Sequence, residues 1–246
     1  MNRIVIIAAM AGELKPLVRG WQHESRNGVD LWRFSHNQVE WIAACAGAGQ
    51  QAATRAFAEA EKDGPVTSVI STGWAGALSE EYLPGQAYRV SEVVDARTGE
   101  RFETDSVDRF PRSQNRDLGH PSVLLVTSAT VADHAEKQRL AAAYMAGLVD
   151  MEASAIARLA AMRGIPFYCC KGVSDGFTDR LPDFNGFIAE NGTFQLTRFI
   201  VYVLIRPGHW PALIRMGENS RKAARAIGES LLEILDKEGL IRKRNV

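Results

Sequence analysis

Four short apolar runs constrain this chain more than any other feature: IVIIAAM at residues 4–10, VTSVIST at 66–72, SVLLVT at 122–127 and PFYCCKGVS at 166–174. Each is too short for an average helix, and each is bounded by glycine, proline or charge, which reads as a strand buried on both faces. The segments between them carry helical signals. AGAGQQAATRAFAEAEKDG holds an alanine-rich helix stopping near Gly64 and Pro65, DHAEKQRLAAAYM (133–145) starts on Asp133 as an N-cap, and a helix over 152–163 ends at Gly164 and Pro166. Strands alternating with helices define an α/β class, here a three-layer α/β/α arrangement around a mixed central sheet. Further strands are expected at 29–34 and 39–45, paired about Asn37, at 87–96, and in the short run LVD before Met151. The segment GWAGAL after residue 72 reads as a glycine-permitted turn, 97–120 as a polar excursion, and the last third as helices over 189–205 and 217–237 with HWPALIRM as a short helix between them. No repeat, linker or composition break interrupts the chain, so residues 1–246 are expected to form one domain.

Charge and cysteine content narrow the function. The 29 basic and 29 acidic residues cancel to +0, which leaves no net field for a nucleic-acid backbone. The longest apolar run near the C-terminus, FIVYVLI at 199–205, ends at Arg206 and Pro207 and is far short of the roughly 20 residues that a membrane span needs. Glu13 and Lys15 follow the first apolar run at once, so it is read as a strand and not as a leader. Cys45, Cys169 and Cys170 are too few and too oddly placed for a disulfide framework or a zinc site, and the setting is read as reducing and cytoplasmic.

Gly47-Ala48-Gly49 sits between a strand and a helix, as a dinucleotide fingerprint does, but no acidic residue ends the next strand, VTSVIST. The turn is then either structural or one whose amides face a ligand. His120, His134 and His209 are scattered and there is no GxSxG, so a Ser-His-Asp centre has no support. Cys169 and Cys170 read as small core residues, and no spacing of His, Cys and carboxylate suggests a metal, so no cofactor is expected. What remains is a set of carboxylates at strand and helix edges: Glu13, Glu152 and Asp175. Singly each reads as a cap or a solvated charge. Together they suggest acid–base chemistry, of which cleavage of a glycosidic bond is one case.

In this order, IVIIAAMAGEL, CAGAGQQAATRA, ISTGWAGAL, LVDMEASAIA and PFYCCKGVSD resemble the nucleoside phosphorylase superfamily, most closely its hydrolytic branch of methylthioadenosine/S-adenosylhomocysteine nucleosidases, over roughly residues 3–190. The resemblance implies roles position by position. Met10 and Glu13 match the segment carrying the glutamate that activates water; Met151 packs on the ribose and Glu152 binds a sugar hydroxyl; Asp175, after Ser174, protonates the purine N7. Thr130 and Val131 line the base, and Phe184 or Phe187 closes the pocket. Two positions depart from the pattern. Trp74 stands where a small hydroxyl residue is usual, and Lys171 where an arginine is usual, so Lys171 loses the planar fork. Both are placed at the substrate, and alternation along the last strand puts Lys171 on the same face as Asp175. The implied activity is hydrolysis of the glycosidic bond of a purine nucleoside or related adenosyl compound. Alternatives are a phosphorylase using phosphate in place of water, including a hopanoid-associated type that cleaves an adenosyl lipid, and a nucleoside-binding protein without catalysis. Trp41, Trp74, Phe184 and Phe187 are read as an exposed apolar set, which with the resemblance implies a homo-oligomer, a homodimer or a larger ring.

Overall fold

Alternation along the first strand sets the layering. In the computed structural model, which describes residues 2–105, 123–189, 192, 194, 195, 198, 199, 202 and 206–237, β1 (Asn2–Ala8) sends Val5 and Ile7 into one buried cluster and Ile6 and Ala8 into another. A strand buried on both faces needs a cover on each side, and helices supply both. On one side α2 (Gln50–Glu61) lies against α4 (Ala153–Arg163). The buried Ala52, Ala53, Ala56 and Ala60 meet a helix equally small at Ala153, Ala157 and Ala160, which lets the pair lie flat on the sheet. On the other side α1 (Ala11–Leu14) and the long α5 (Trp210–Lys237) pack Leu14, Ile227 and Leu231 against Ile6, Trp41 and Ile70. Each fully buried Ile, Val or Leu contributes about 1.5–3 kcal/mol relative to an exposed one.

The sheet adds β2 (Gln22–Arg26), β3 (Val29–His36), β4 (Val39–Cys45), β5 (Ser68–Ser71), β6 (Trp74–Ala77), β7 (Ala87–Asp95), β8 (Arg101–Glu103), β9 (Val123–Thr127), β10 (Leu148–Asp150) and β11 (Phe167–Asp175). Their order is β2-β3-β4-β1-β5-β11-β6-β10-β9-β7-β8, and β11 also pairs with β7. That extra pairing closes β11, β6, β10, β9 and β7 into a ring, so a flat sheet at one end becomes a small barrel at the other. β11 runs beside β5 and β6 in one register, Phe167 opposite Val69 and Gly172 opposite Trp74. β5 and β6 are thus one strand interrupted at Thr72 and Gly73.

Several expectations are corrected here. GWAGAL is not a free turn: Trp74–Ala77 is a strand, because β11 and β10 flank it. None of the apolar set expected at the surface is exposed: Trp41 is 1% accessible and lies in the core, and Trp74, Phe184 and Phe187 are half-buried. HWPALIRM is not a separate helix but opens the continuous α5. The polar β2, QHESR, is an edge strand that no apolar pattern announces. In the excursion, β8 is a short strand on β7, while 106–122 lie outside the described residues, as does most of the helix expected over 189–205.

Candidate active site

The interruption at Thr72 and Gly73 is where the polar groups gather. α1 follows β1 directly and turns the Glu13 carboxylate, 4% exposed, back toward that break. One carboxylate oxygen accepts from the Met10 amide at 2.7 Å and the other from the Trp74 amide at 2.7 Å. Gly73 has φ +116°, and a Cβ there would lie 2.8 Å from Glu13 Oε1, so only glycine leaves room for the carboxylate. Burial raises the pKa of Glu13, against the lowering effect of those amides and of Lys171.

Glu152 comes from the start of α4. Its carboxylate accepts from the Gly49 amide at 2.7 Å and the Met151 amide at 3.3 Å. Of the Gly47–Gly49 turn only the Gly49 amide faces this carboxylate; the Gly47 and Ala48 amides donate to the Ala9 and Gly192 carbonyls, so the turn is largely structural. Burial first, then the neighbouring Asp150 charge, pushes Glu152 up to about 7, while Lys171 and the Gly49 amide pull the other way; the Glu13 charge adds to the rise. Met10 and Met151 are half-buried beside the two glutamates.

Lys171 is 1% exposed and its ammonium sits 2.8 Å from Asp150 Oδ2 and 3.0 Å from the Thr72 carbonyl. Burial is the largest single influence and opposes its charge, but Asp150, Cys169 and Glu152 together outweigh burial and its pKa is raised. Asp150 is anchored in turn by the Thr127 hydroxyl at 2.7 Å and the Ala153 amide at 2.9 Å. The structure therefore does not bring Lys171 to Asp175. A bulge between Val173 and Asp175 in the pairing with β6 breaks the simple alternation, and Asp150 claims the ammonium.

Asp175 instead meets a residue that sequence reasoning missed. Its Oδ1 accepts from the Ser174 hydroxyl at 2.6 Å, and its Oδ2 pairs with the ammonium of Lys137, which is 2% exposed on α3 (His134–Tyr144). Asp175 stands opposite Gly76, two residues along β6 from the amide that holds Glu13. Asp150 was read only as part of the short strand LVD, and its role as partner of Lys171 was missed. Lys137 carried no signal, since it is one of several charges in a polar helix.

The other expected residues fall as follows. Trp74 is half-buried, and its indole Nε1 donates to the Ser220 carbonyl of α5 at 3.0 Å, so its side chain braces that helix across Gly12. Thr130 is exposed; Val131 exchanges two hydrogen bonds with the Asn185 side chain, at 2.8 and 3.1 Å. That ties the 130–131 segment to Phe184, which sits in an aromatic group with Phe187, Phe194, Phe199 and Tyr202. Among the described residues no cluster of three His, Cys, Asp or Glu could hold a metal ion, and no helix is long and apolar enough to cross a membrane.

Buried carboxylates gather at the carboxyl ends of β1, β10 and β11, the end of an α/β sheet where small ligands usually bind. The chain belongs to the phosphorylase superfamily, whose family model matches residues 3–195. Among the solved structures it is similar to an S-adenosylhomocysteine nucleosidase from Streptococcus pyogenes, with 20% identity, 96% of this chain and 97% of the other covered, and a TM-score of 0.72. It is also similar to the futalosine hydrolase of Helicobacter pylori (15% identity, 96% and 98% covered, TM-score 0.71) and to the 5′-methylthioadenosine nucleosidase of Arabidopsis thaliana (18%, 100% and 98%, 0.69). At such identities the likeness is one of fold, and it extends over the last 50 or so residues, beyond the stretch that the motifs cover. Among curated proteins no match is found.

Proposed function

We propose that the protein is an N-glycosidase that hydrolyses the bond between the sugar and the base of a purine nucleoside or related adenosyl compound. The observation that carries the reading is the Glu13 carboxylate, buried and fixed at both oxygens by backbone amides, with its affinity for protons raised by burial. Such a group suits a general base at neutral pH. Glu13 takes a proton from water as the oxygen adds to C1′. The ionised Glu152 receives a ribose hydroxyl, with Met10 and Met151 against the sugar, and Asp175 delivers a proton to N7 of the departing base. Family membership and the names of the structural neighbours support the same reading. Water is favoured over phosphate because Lys171, the cation at the break in β5–β6, is engaged by Asp150. A homo-oligomer in the cytoplasm completes the proposal, consistent with three buried free cysteines.

The test is a panel of nucleosides, including methylthioadenosine, S-adenosylhomocysteine and futalosine, incubated with and without phosphate and analysed for free base by chromatography. Base release without phosphate is expected, and Glu13→Gln is expected to slow it by at least ~10²-fold with little change in ligand binding. Activity that requires phosphate and survives Glu13→Gln would replace hydrolysis with phosphorolysis.

A further inference from the structure

Lys137 has no part in the reaction as written, yet it is among the most deeply buried charges in the molecule. Its ammonium donates to Asp175 Oδ2 and, at 2.7 Å, to the Gly176 carbonyl. Its stem passes Gly76, where a Cβ would lie 3.2 Å from Lys137 Cε and 3.1 Å from Asp175 Oδ2. His134, three residues earlier on α3, places Nδ1 3.1 Å from the Phe177 carbonyl. The first turn of α3 thus grips residues 175–177 at three points. Ser174 occupies one oxygen of Asp175 and Lys137 the other. An isolated ammonium is costly to bury, so a lysine at this position needs a partner that an apolar side chain would not.

We propose that Lys137 is a positioning residue that acts through Asp175, holding its carboxylate toward the leaving base and serving as the reserve from which the base draws its proton. This rests on the nucleosidase reading above. As the bond from C1′ to N9 breaks, its electron pair stays with the base. Asp175 relays one proton to N7, and Lys137 supplies it, leaving a neutral amine beside a carboxylate. Water contributes hydroxide to C1′ and its other proton to Glu13. Exchange with solvent removes that proton from Glu13 and returns one to Lys137, so the enzyme is restored and the substrate has gained one water.

The experiment is a double-mutant cycle read on two substrates. Lys137→Met, Lys137→Arg, Asp175→Asn and the double variant Lys137→Met/Asp175→Asn are assayed on a purine nucleoside and on p-nitrophenyl riboside, whose leaving group needs no proton. Lys137→Met is expected to lower kcat at least ~10²-fold on the purine nucleoside and less than ~10-fold on p-nitrophenyl riboside, with partial recovery in Lys137→Arg. The double variant is expected to be no slower than Asp175→Asn alone, since Lys137 is silent once its relay is gone. Thermal melts report folding. The double variant buries no unpaired charge, so its comparison with Asp175→Asn carries the test if Lys137→Met does not fold. Equal losses on both substrates, or a double variant slower than Asp175→Asn, would overturn the proposal. A wild-type protein that cleaves neither substrate is a failure of the nucleosidase reading itself, and Lys137 falls with it.

Discussion

Glu152 is the residue at which stability and activity pull apart. Its folded pKa of about 7 stands above the ordinary 4.5. Below the lower value both folded and unfolded states carry the proton. Above the upper value the folded state has surrendered it in a desolvated site and the unfolded state has lost nothing comparable. The contribution of this group is therefore fully present at low pH and is lost as pH rises through 7. From the size of the shift, the effect is about 3 kcal/mol at most. Glu152→Gln is expected to raise the melting temperature of the unliganded protein at pH 8 and to change it little at pH 5. The wild-type kcat/KM is expected to fall on the acid side of pH 7, where the carboxylate proposed to receive the sugar hydroxyl is lost. Melting curves that respond equally at both pH values would contradict this account. The three carboxylates of the candidate site were legible in the sequence because each follows a strand or opens a helix. Their partners were not. Whether Asp175 meets Lys171 or Lys137 depends on a bulge, and a single side-chain period cannot reveal one.

At the scale of elements, α5 lies unusually close to β11. A Cβ on Gly172 would come 2.8 Å from Ala223 Cβ and 2.9 Å from Ile227 Cδ1. The same helix receives the Trp74 indole at Ser220, so the contact passes from the packing of β11 to the strand that holds Glu13. Gly172→Ala is expected to crowd this seam and cost about 1–3 kcal/mol, a fall of several degrees in melting temperature at roughly 2–4 °C per kcal/mol. An unchanged melt would mean that α5 can shift away freely. Elements with strong periodicity, β1, α2, β9, α4 and β11, were legible in the sequence. The three misjudged pieces share a physical cause. Trp74–Ala77, Trp41 and the start of α5 take their states from partners distant in sequence: β11 beside β6, Ile70 and Ile227 in one cluster with Trp41, and a helix that continues through Pro211. Local composition reports on none of these.

At the scale of the molecule, the proposed assembly has a simple reading. Met162 on α4 is 75% exposed and Met145 88%, large apolar side chains left open to water in a single chain. Light scattering at micromolar concentration is expected to give about twice 27.0 kDa or a larger closed multiple. A mass of one chain would remove the oligomer from the proposal. The ring of five strands bears on how the molecule comes into being. β11 is the last strand among the described residues, yet it fills the space between the β5–β6 line and β7. While a ribosome is still making residues before Phe167, those two lines present bare amides and carbonyls to the cell, and the seat of Glu13 has one wall missing. A single nine-residue strand thus closes the ring and completes the wall beside Glu13, before α5 has been made to cover it.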